Sequence, residues 1–396
     1  MTECLYSYFI IKSIIFFSYF IIIVLFPESL KKDPFYLPNK KAILEYNKTK
    51  RKLLYKGRKF LSKCLNFPNI KRYKYVKNPK VSVIIPMFNC EKTIRQTLKS
   101  VQIQNLSKIE ILLINDFSSD NTSKIIEKIN RKDRRIKLIN NLRSMGTLYS
   151  RCIGVLIAKG EYIFSLDNDD LYFTNDVFDT IFKIGKNYNL DIIEFLTIDS
   201  WNYKIVIKKM KDLYTYQYPD GLYIKQPELS NWMIKFNNNF LVHNNMIWDK
   251  CIKSSVYKKS VNLLTPNRYS KFLSWAEDTS MNFIIFNIAK TFQYIHKYGI
   301  FHHRNKFTAS YKQSVNSKIF GEIFLLDVFF DFSKNDSITK NFIVGQALKI
   351  YKNYNINKFI GSNSFYLKYV LNKIIQCNFL QKQIKRKLKN LFCIIL

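Results

Sequence analysis

Glycine and proline are scarce in this 396-residue chain, 10 and 9 in all, which argues against a low-complexity sequence. Acidic residues are scarce as well: 29 Asp and Glu stand against 64 Lys and Arg, a net charge of +35. The seven cysteines (Cys4, Cys64, Cys90, Cys152, Cys251, Cys377, Cys393) are scattered and never spaced C-x-x-C, so neither a disulfide framework nor a zinc site is expected. No glycine-rich dinucleotide loop and no P-loop occurs, which separates the chain from dehydrogenases and nucleotide hydrolases. The common nucleic-acid-binding motifs are missing too, so nucleic acid is not an expected partner despite the charge.

What is present is apolar and basic. Hydrophobic residues make up 47% of the chain and aromatics 16%, enough to fill a real core. The positive excess gathers in residues 31–80 and again in 382–389. Basic segments beside hydrophobic ones suit an anionic lipid surface better than a groove for duplex DNA. Residues 5–26 read LYSYFIIKSIIFFSYFIIIVLF, with Lys12 as the one charge. About 20 apolar residues span a bilayer as a helix. The run ends in Phe26-Pro27-Glu28 rather than in the small residues of a cleavage site, so residues 1–26 are expected to be an uncleaved membrane anchor. Residues 27–80 then form a basic stem interrupted by Pro27, Pro34 and Pro38. The last four residues, Cys393-Ile394-Ile395-Leu396, have the form of a prenylation box, which an Ile-rich chain also reaches by coincidence.

Past Pro79 the texture changes. VSVIIP (81–86), IEILLI (109–114), IKLI (136–139) and EYIFSL (161–166) are apolar, β-branched runs that read as buried strands. Helical stretches are expected between them at 91–104, 122–131 and 146–159, the first with Ile94, Leu98 and Val101 on one face. This alternation predicts an α/β fold, a mostly parallel sheet flanked by helices. A further strand is expected at 191–198 and helical segments near 228–258, 276–289 and 320–392. The domain scheme is therefore anchor (1–26), stem (27–80), catalytic domain (81–315) and a helical C-terminal region with a basic tail (316–396).

Ligands of an open parallel sheet sit beyond the carboxyl ends of its strands. Those ends carry Pro86-Met87-Phe88-Asn89 with Glu91 behind, then Asn115-Asp116-Phe117-Ser118, then Asp167-Asn168-Asp169-Asp170. Carboxylates gathered on one rim repel each other unless a cation joins them, and hard oxygen ligands suit Mg²⁺ or Mn²⁺. A ligand's phosphates would then be held by that metal and by basic residues.

VSVIIPMFNCEKTIRQTLKSVQIQ, IEILLINDFSSDNT, MGTLYSRCIGVLIAKGEYIFSLDNDD and the later WAEDTSMNF resemble, in this order, the family 2 glycosyltransferases of the GT-A fold. The resemblance is close over 81–200 and weaker to about 315. It implies inverting transfer of a sugar from a nucleotide-diphosphate donor, usually a UDP-sugar. It also implies that Pro86 and Phe88 line the base site together with Glu91, and that Asp116 accepts a hydrogen bond from the base. Asp167 and Asp169 would be the D-x-D metal pair, Arg151 would order the rim, and Asp278 would be the catalytic base. Phe88 stands where the family has Tyr, and Phe117 where it has Gly. The Q-x-x-R-W signature of processive synthases is missing, which favours transfer of a single sugar. The expected acceptor is a hydroxyl on a glycan, glycoprotein or lipid, and the expected location a single-pass endomembrane (ER or Golgi) position. A competing reading keeps the fold in a catalytically inactive, membrane-tethered binding or scaffold protein.

Overall fold

The computed structural model describes residues 76–201, 204–205, 218–232, 246–270, 273, 275–304, 314–332 and 370. The expected anchor, nearly all of the stem, the C-terminal prenylation box and most of the C-terminal helical region lie outside these residues. Among the described residues no helix is long and apolar enough to cross a membrane.

The chain opens with β1 (Val81–Met87), α1 (Ile94–Gln102), β2 (Ile109–Asn115), α2 (Thr122–Asn130), β3 (Ile136–Asn140), α3 (Thr147–Ile157) and β4 (Tyr162–Ser165). It continues through β5 (Leu171–Tyr172), α4 (Val177–Asn187), β6 (Ile192–Trp201), β7 (Lys204–Ile205), β8 (Tyr223–Lys225) and α5 (Glu228–Trp232). Then come β9 (Lys250–Lys253), α6 (Ser254–Leu264), α7 (Pro266–Tyr269), α8 (Glu277–Ile288), β10 (Thr291–Arg304) and α9 (Val315–Phe332).

One sheet runs in the order β3-β2-β1-β4-β9-β6-β10-β5. Its first four strands are parallel, as their β-branched runs and intervening helices predict. Strand residues alternate between two apolar layers. Val81, Val83 and Ile85 of β1 join Ile94, Leu98 and Val101 of α1 in one core, while Ile84, Leu112 and Ile114 join Leu148, Val155 and Phe283 in the other. Side chains of period two packed on both faces give continuous apolar runs in sequence.

The expectation of a mostly parallel sheet needs correction, because the sheet is mixed. Strand β9 lies antiparallel to both β4 and β6, and β5, β7 and β8 also pair antiparallel. Strand β9 falls inside the stretch read as helical near 228–258. Its sequence, Lys-Cys-Ile-Lys, is too short and too charged to signal a buried strand, yet Lys250 has no exposed surface. Strand β10 was not foreseen either. His, Lys and Gly interrupt its apolar pattern, and its parallel pairing with β6 shifts register twice between Ile295 and Ile300.

Candidate active site

The carboxyl ends of β1, β2 and β4 meet on one edge of the sheet, and the loops leaving them are tied together. Past β1, Asn89 adopts a left-handed backbone (φ 46°) and its Oδ1 accepts from the Ser119 N–H at 2.8 Å. The Glu91 N–H donates to Asp120 Oδ2 at 3.0 Å, and Glu91 Oε2 accepts from the Asn121 N–H at 3.1 Å. Glu91 therefore joins the first loop to the second. Pro86 is buried inside β1, and its carbonyl accepts from Asn168 Nδ2 at 3.1 Å. Phe88 and Phe117, on these two neighbouring loops, are both exposed. Phe117 has φ 64°, a left-handed conformation that glycine adopts without steric cost. Cys90 is a packed thiol pushed up to about 12, mainly by burial.

Asp116 is buried, and its carboxylate is taken up by the segment 141–146. Oδ1 accepts from Asn141 Nδ2 (2.7 Å) and the Met145 N–H (2.8 Å); Oδ2 accepts from Ser144 Oγ (2.8 Å) and the Gly146 N–H (2.9 Å). Four donors on two oxygens make Asp116 the organiser of the turn that launches α3. Gly146 sits at φ 88° and bridges to Leu273; a Cβ there would stand 2.9 Å from the Leu273 carbonyl oxygen. The β2 rim is thus fastened to the segment that delivers Asp278.

The acidic loop after β4 distributes its four side chains in different directions. Asp167 Oδ1 lies 3.2 Å from Arg151 Nη2. Asn168 spans to β1 through Pro86, and its carbonyl accepts from Thr97 Oγ1 at 2.9 Å. Asp170 is buried, and its Oδ1 accepts the His303 N–H at 2.8 Å, which ties the loop to the end of β10. Asp169 makes no hydrogen bond or ion pair to another side chain among the described residues. Burial and the neighbouring Asp167 charge push its carboxyl up to about 6, while His302 pulls the other way. The His302 ring packs on Trp248, with centroids 4.9 Å apart. Sequence reasoning passed over Asp170, whose role depends on a strand 133 residues away.

Arg151, on α3, is the hub. It is buried, with Nη1 2.5 Å from Asp278 Oδ1 and Nη2 3.2 Å from Asp167 Oδ1. Desolvation opposes its charge, but Asp278 and Asp167 outweigh that and hold the guanidinium firmly protonated. Asp278 opens α8 just after Ala276, a non-glycine residue with left-handed backbone (φ 60°). Burial raises the Asp278 carboxyl and Arg151 opposes the rise. Its neighbour Glu277 is pushed up to about 8, first by burial and then by the Asp278 charge. Burial thus raises both of these adjacent carboxyls.

The residues fit a divalent cation in one specific sense. Among the described residues no group of three or more His, Cys, Asp or Glu is set to hold a metal by itself. Asp167 and Asp169 do stand two residues apart on one loop beyond β4, a pair of hard oxygen donors of the kind that suits such a cation. Mg²⁺ sites use one or two carboxylates and complete their shell with substrate phosphates and water.

Of the expected site residues, Arg151, Asp167 and Asp278 are therefore brought into direct contact, with Asp169 beside Asp167. Pro86, Phe88, Glu91 and Asp116 stand on the adjoining strand ends and loops. Residues 82–249 match the family model described as Glycosyl transferase family 2. An uncharacterized glycosyltransferase of Haemophilus influenzae is 28% identical over 204 residues, covering 50% of this chain and 58% of its own length. The Escherichia coli UDP-Glc:alpha-D-GlcNAc-diphosphoundecaprenol beta-1,3-glucosyltransferase WfaP is 42% identical over 97 residues, covering 24% of this chain and 38% of its own. The chain thus spans less than two thirds of either relative's length. Among solved structures, S. aureus TarS 1–349 in complex with UDP-GlcNAc superposes with a TM-score of 0.54 at 14% identity, covering 80% of this chain and 87% of that one. The mixed sheet and its flanking helices are GT-A-like.

Proposed function

With a glycosyl transferase family 2 domain over residues 82–249 as the premise, we propose that this chain transfers a single sugar, with inversion, from a UDP-sugar to a hydroxyl acceptor. One observation carries the reading: Arg151 holds the Asp278 carboxylate against the rim that bears Asp167 and Asp169.

The steps follow from the residues. Phe88 offers an exposed ring on which a nucleobase can stack. Asp167 and Asp169 would hold Mn²⁺ or Mg²⁺, which supplies positive charge at the departing diphosphate. Asp278 takes the proton of the acceptor hydroxyl as its oxygen attacks the anomeric carbon. The bond between that carbon and the diphosphate oxygen breaks, UDP leaves, and the sugar's anomeric configuration is inverted without a covalent sugar–enzyme intermediate. Arg151 keeps Asp278 oriented.

For the acceptor, WfaP is a glucosyltransferase for a sugar on a diphosphoundecaprenol carrier, and a lipid-linked glycan also suits the basic segments and the apolar run of residues 5–26. The membrane-bound, endomembrane location rests on that run alone.

The test is UDP release by the purified full chain from UDP-glucose and UDP-N-acetylglucosamine, with Mn²⁺ and with EDTA. Metal-dependent turnover that falls about 10²–10⁴-fold in Asp278→Asn is the expected result. Turnover unchanged by that substitution would remove Asp278 from the mechanism.

A further inference from the structure

Behind Asp278 lies a charged cluster that the transfer steps do not use. The turn 246–250 leads into β9, and its last residue, Lys250, has no exposed surface. Lys250 Nζ donates to the Met246 carbonyl at 2.6 Å and to Asp249 Oδ1 at 2.8 Å, and lies 3.2 Å from Glu194 Oε2. Taking an ammonium out of water costs several kcal/mol. Oxygens on three sides offset that cost and keep the lysine charged, its acidity pushed further down by Asp249 and Glu194.

The Met246 carbonyl and the Ile247 N–H are the two ends of one planar amide. At the carbonyl end, Asn282 Nδ2 joins Lys250 as a donor, at 3.3 Å. At the other end, the Ile247 N–H donates to Asp278 Oδ2 at 3.3 Å. Asp278 and Asn282 are four residues apart on α8 and so share a face. That face grips the amide from both ends. Arg151 holds one oxygen of the Asp278 carboxylate and this peptide holds the other, so its plane is fixed by two donors from different elements.

We propose that Lys250 is a positioning residue for the transfer: through the Met246–Ile247 peptide it aims the carboxylate of Asp278. The proposal rests on the reading of Asp278 as the base. The physical link is short. A cation on an amide oxygen anchors the amide plane and makes its N–H a stronger donor, by about 10–30% per bond in a chain of hydrogen bonds. Each carboxylate oxygen carries two lone pairs, so Oδ2 can accept the Ile247 N–H and still take an acceptor's proton. The charged groups acting on Asp278 are Arg151, Asp167 and Lys250, with Glu277 adjacent in the chain.

The test uses the full chain with Mn²⁺ and UDP-glucose or UDP-N-acetylglucosamine, reading UDP release and thermal melting for Lys250→Met, Lys250→Arg, Asp278→Asn and the Lys250→Met/Asp278→Asn pair. Lys250→Met leaves two carboxylates without their cation, so a triple variant that also carries Asp249→Asn and Glu194→Gln supplies a neutral cluster of similar volume. The expected result is a fall in kcat of about 10–100-fold in Lys250→Met and in the triple variant, as for outer-shell partners generally. KM for the donor stays within about twofold, since the lysine lies behind the acceptor-side base and binds no donor atom. Lys250→Arg restores part of the rate, and Lys250→Met adds nothing in the Asp278→Asn background. The proposal is overturned if the triple variant folds and keeps wild-type kcat, or if the Lys250→Met loss is undiminished when Asp278 is already Asn. Full turnover in Asp278→Asn would instead remove the base assignment itself, a result distinct from an inactive Asp278→Asn beside an unaffected Lys250→Met.

Discussion

Arg151 and Asp278 stand 127 residues apart in the chain, yet the guanidinium of one lies 2.5 Å from the carboxylate of the other in a setting that leaves the arginine almost no exposed surface. The second arm of the same guanidinium reaches Asp167. A planar fork can serve two carboxylates at once, whereas an ammonium is a single point charge on a flexible stem. Arg151→Lys is therefore expected to lower kcat for UDP release by about 10–100-fold while the protein still melts cooperatively. A lysine variant with wild-type kcat would show that the fork is dispensable.

Asp169 makes no hydrogen bond or ion pair to another side chain among the described residues, and burial beside Asp167 raises it to about 6. A divalent cation would draw it back into the ionised form. Asp169→Asn is expected to reduce Mn²⁺-dependent turnover by about 100-fold or more and to weaken Mn²⁺ binding measured by calorimetry in the presence of UDP. Unchanged Mn²⁺ affinity would shift the metal assignment away from this residue.

Burial and then the Asp278 charge push the Glu277 carboxyl up to about 8 from an ordinary 4.5. The sign follows from linkage: the folded state binds more protons than the unfolded one between those values, so this group's contribution to stability is full below about pH 4.5 and is lost as pH rises toward 8. In EDTA, Glu277→Gln should flatten that part of the stability–pH curve obtained by urea denaturation. Parallel curves for the two proteins would contradict the raised acidity.

Phe117 holds a left-handed backbone with its ring largely exposed. An L-residue with a Cβ costs about 1 kcal/mol or more there, and glycine does not. Phe117→Gly should stabilise the chain by up to about 1 kcal/mol, read as a higher urea midpoint at unchanged m. A lower midpoint would mean that the phenyl ring contributes more by packing than the backbone loses.

Gly321 of α9 lies against the Trp275 carbonyl, and a methyl group at that position would overlap it. Trp275 precedes Ala276, Glu277 and Asp278, and Lys318 stacks over its ring at 5.1 Å. Gly321→Ala should therefore push the start of α8 out of register with Arg151, lowering kcat by about tenfold or more, as small misplacements of reacting groups do. Full activity in this variant would show that α9 yields instead of the segment 275–278.

Much of this was legible in the chain. The β-branched runs at 81–86, 109–114, 136–139 and 161–166 marked four parallel strands, because a strand buried on both faces has to be continuously apolar. Polar residues just beyond those runs marked the rim, since chain order alone puts them at the strands' carboxyl ends. The sequence by itself therefore determined the parallel wing and the set of acids on its edge. What only the tertiary structure decided was which of them touch. That Asp116 spends both oxygens on the 141–146 turn, that Asp170 meets the β10 backbone, and that Arg151 bridges Asp167 to Asp278 all depend on contacts between segments distant in sequence, which no local periodicity records. Lys250 is the sharpest case. A lysine that follows an aspartate reads as a solvated surface group, and only closure of β9 between β4 and β6 encloses it among Asp249, Glu194 and the Met246 carbonyl, where its charge is worth more than it would be in water.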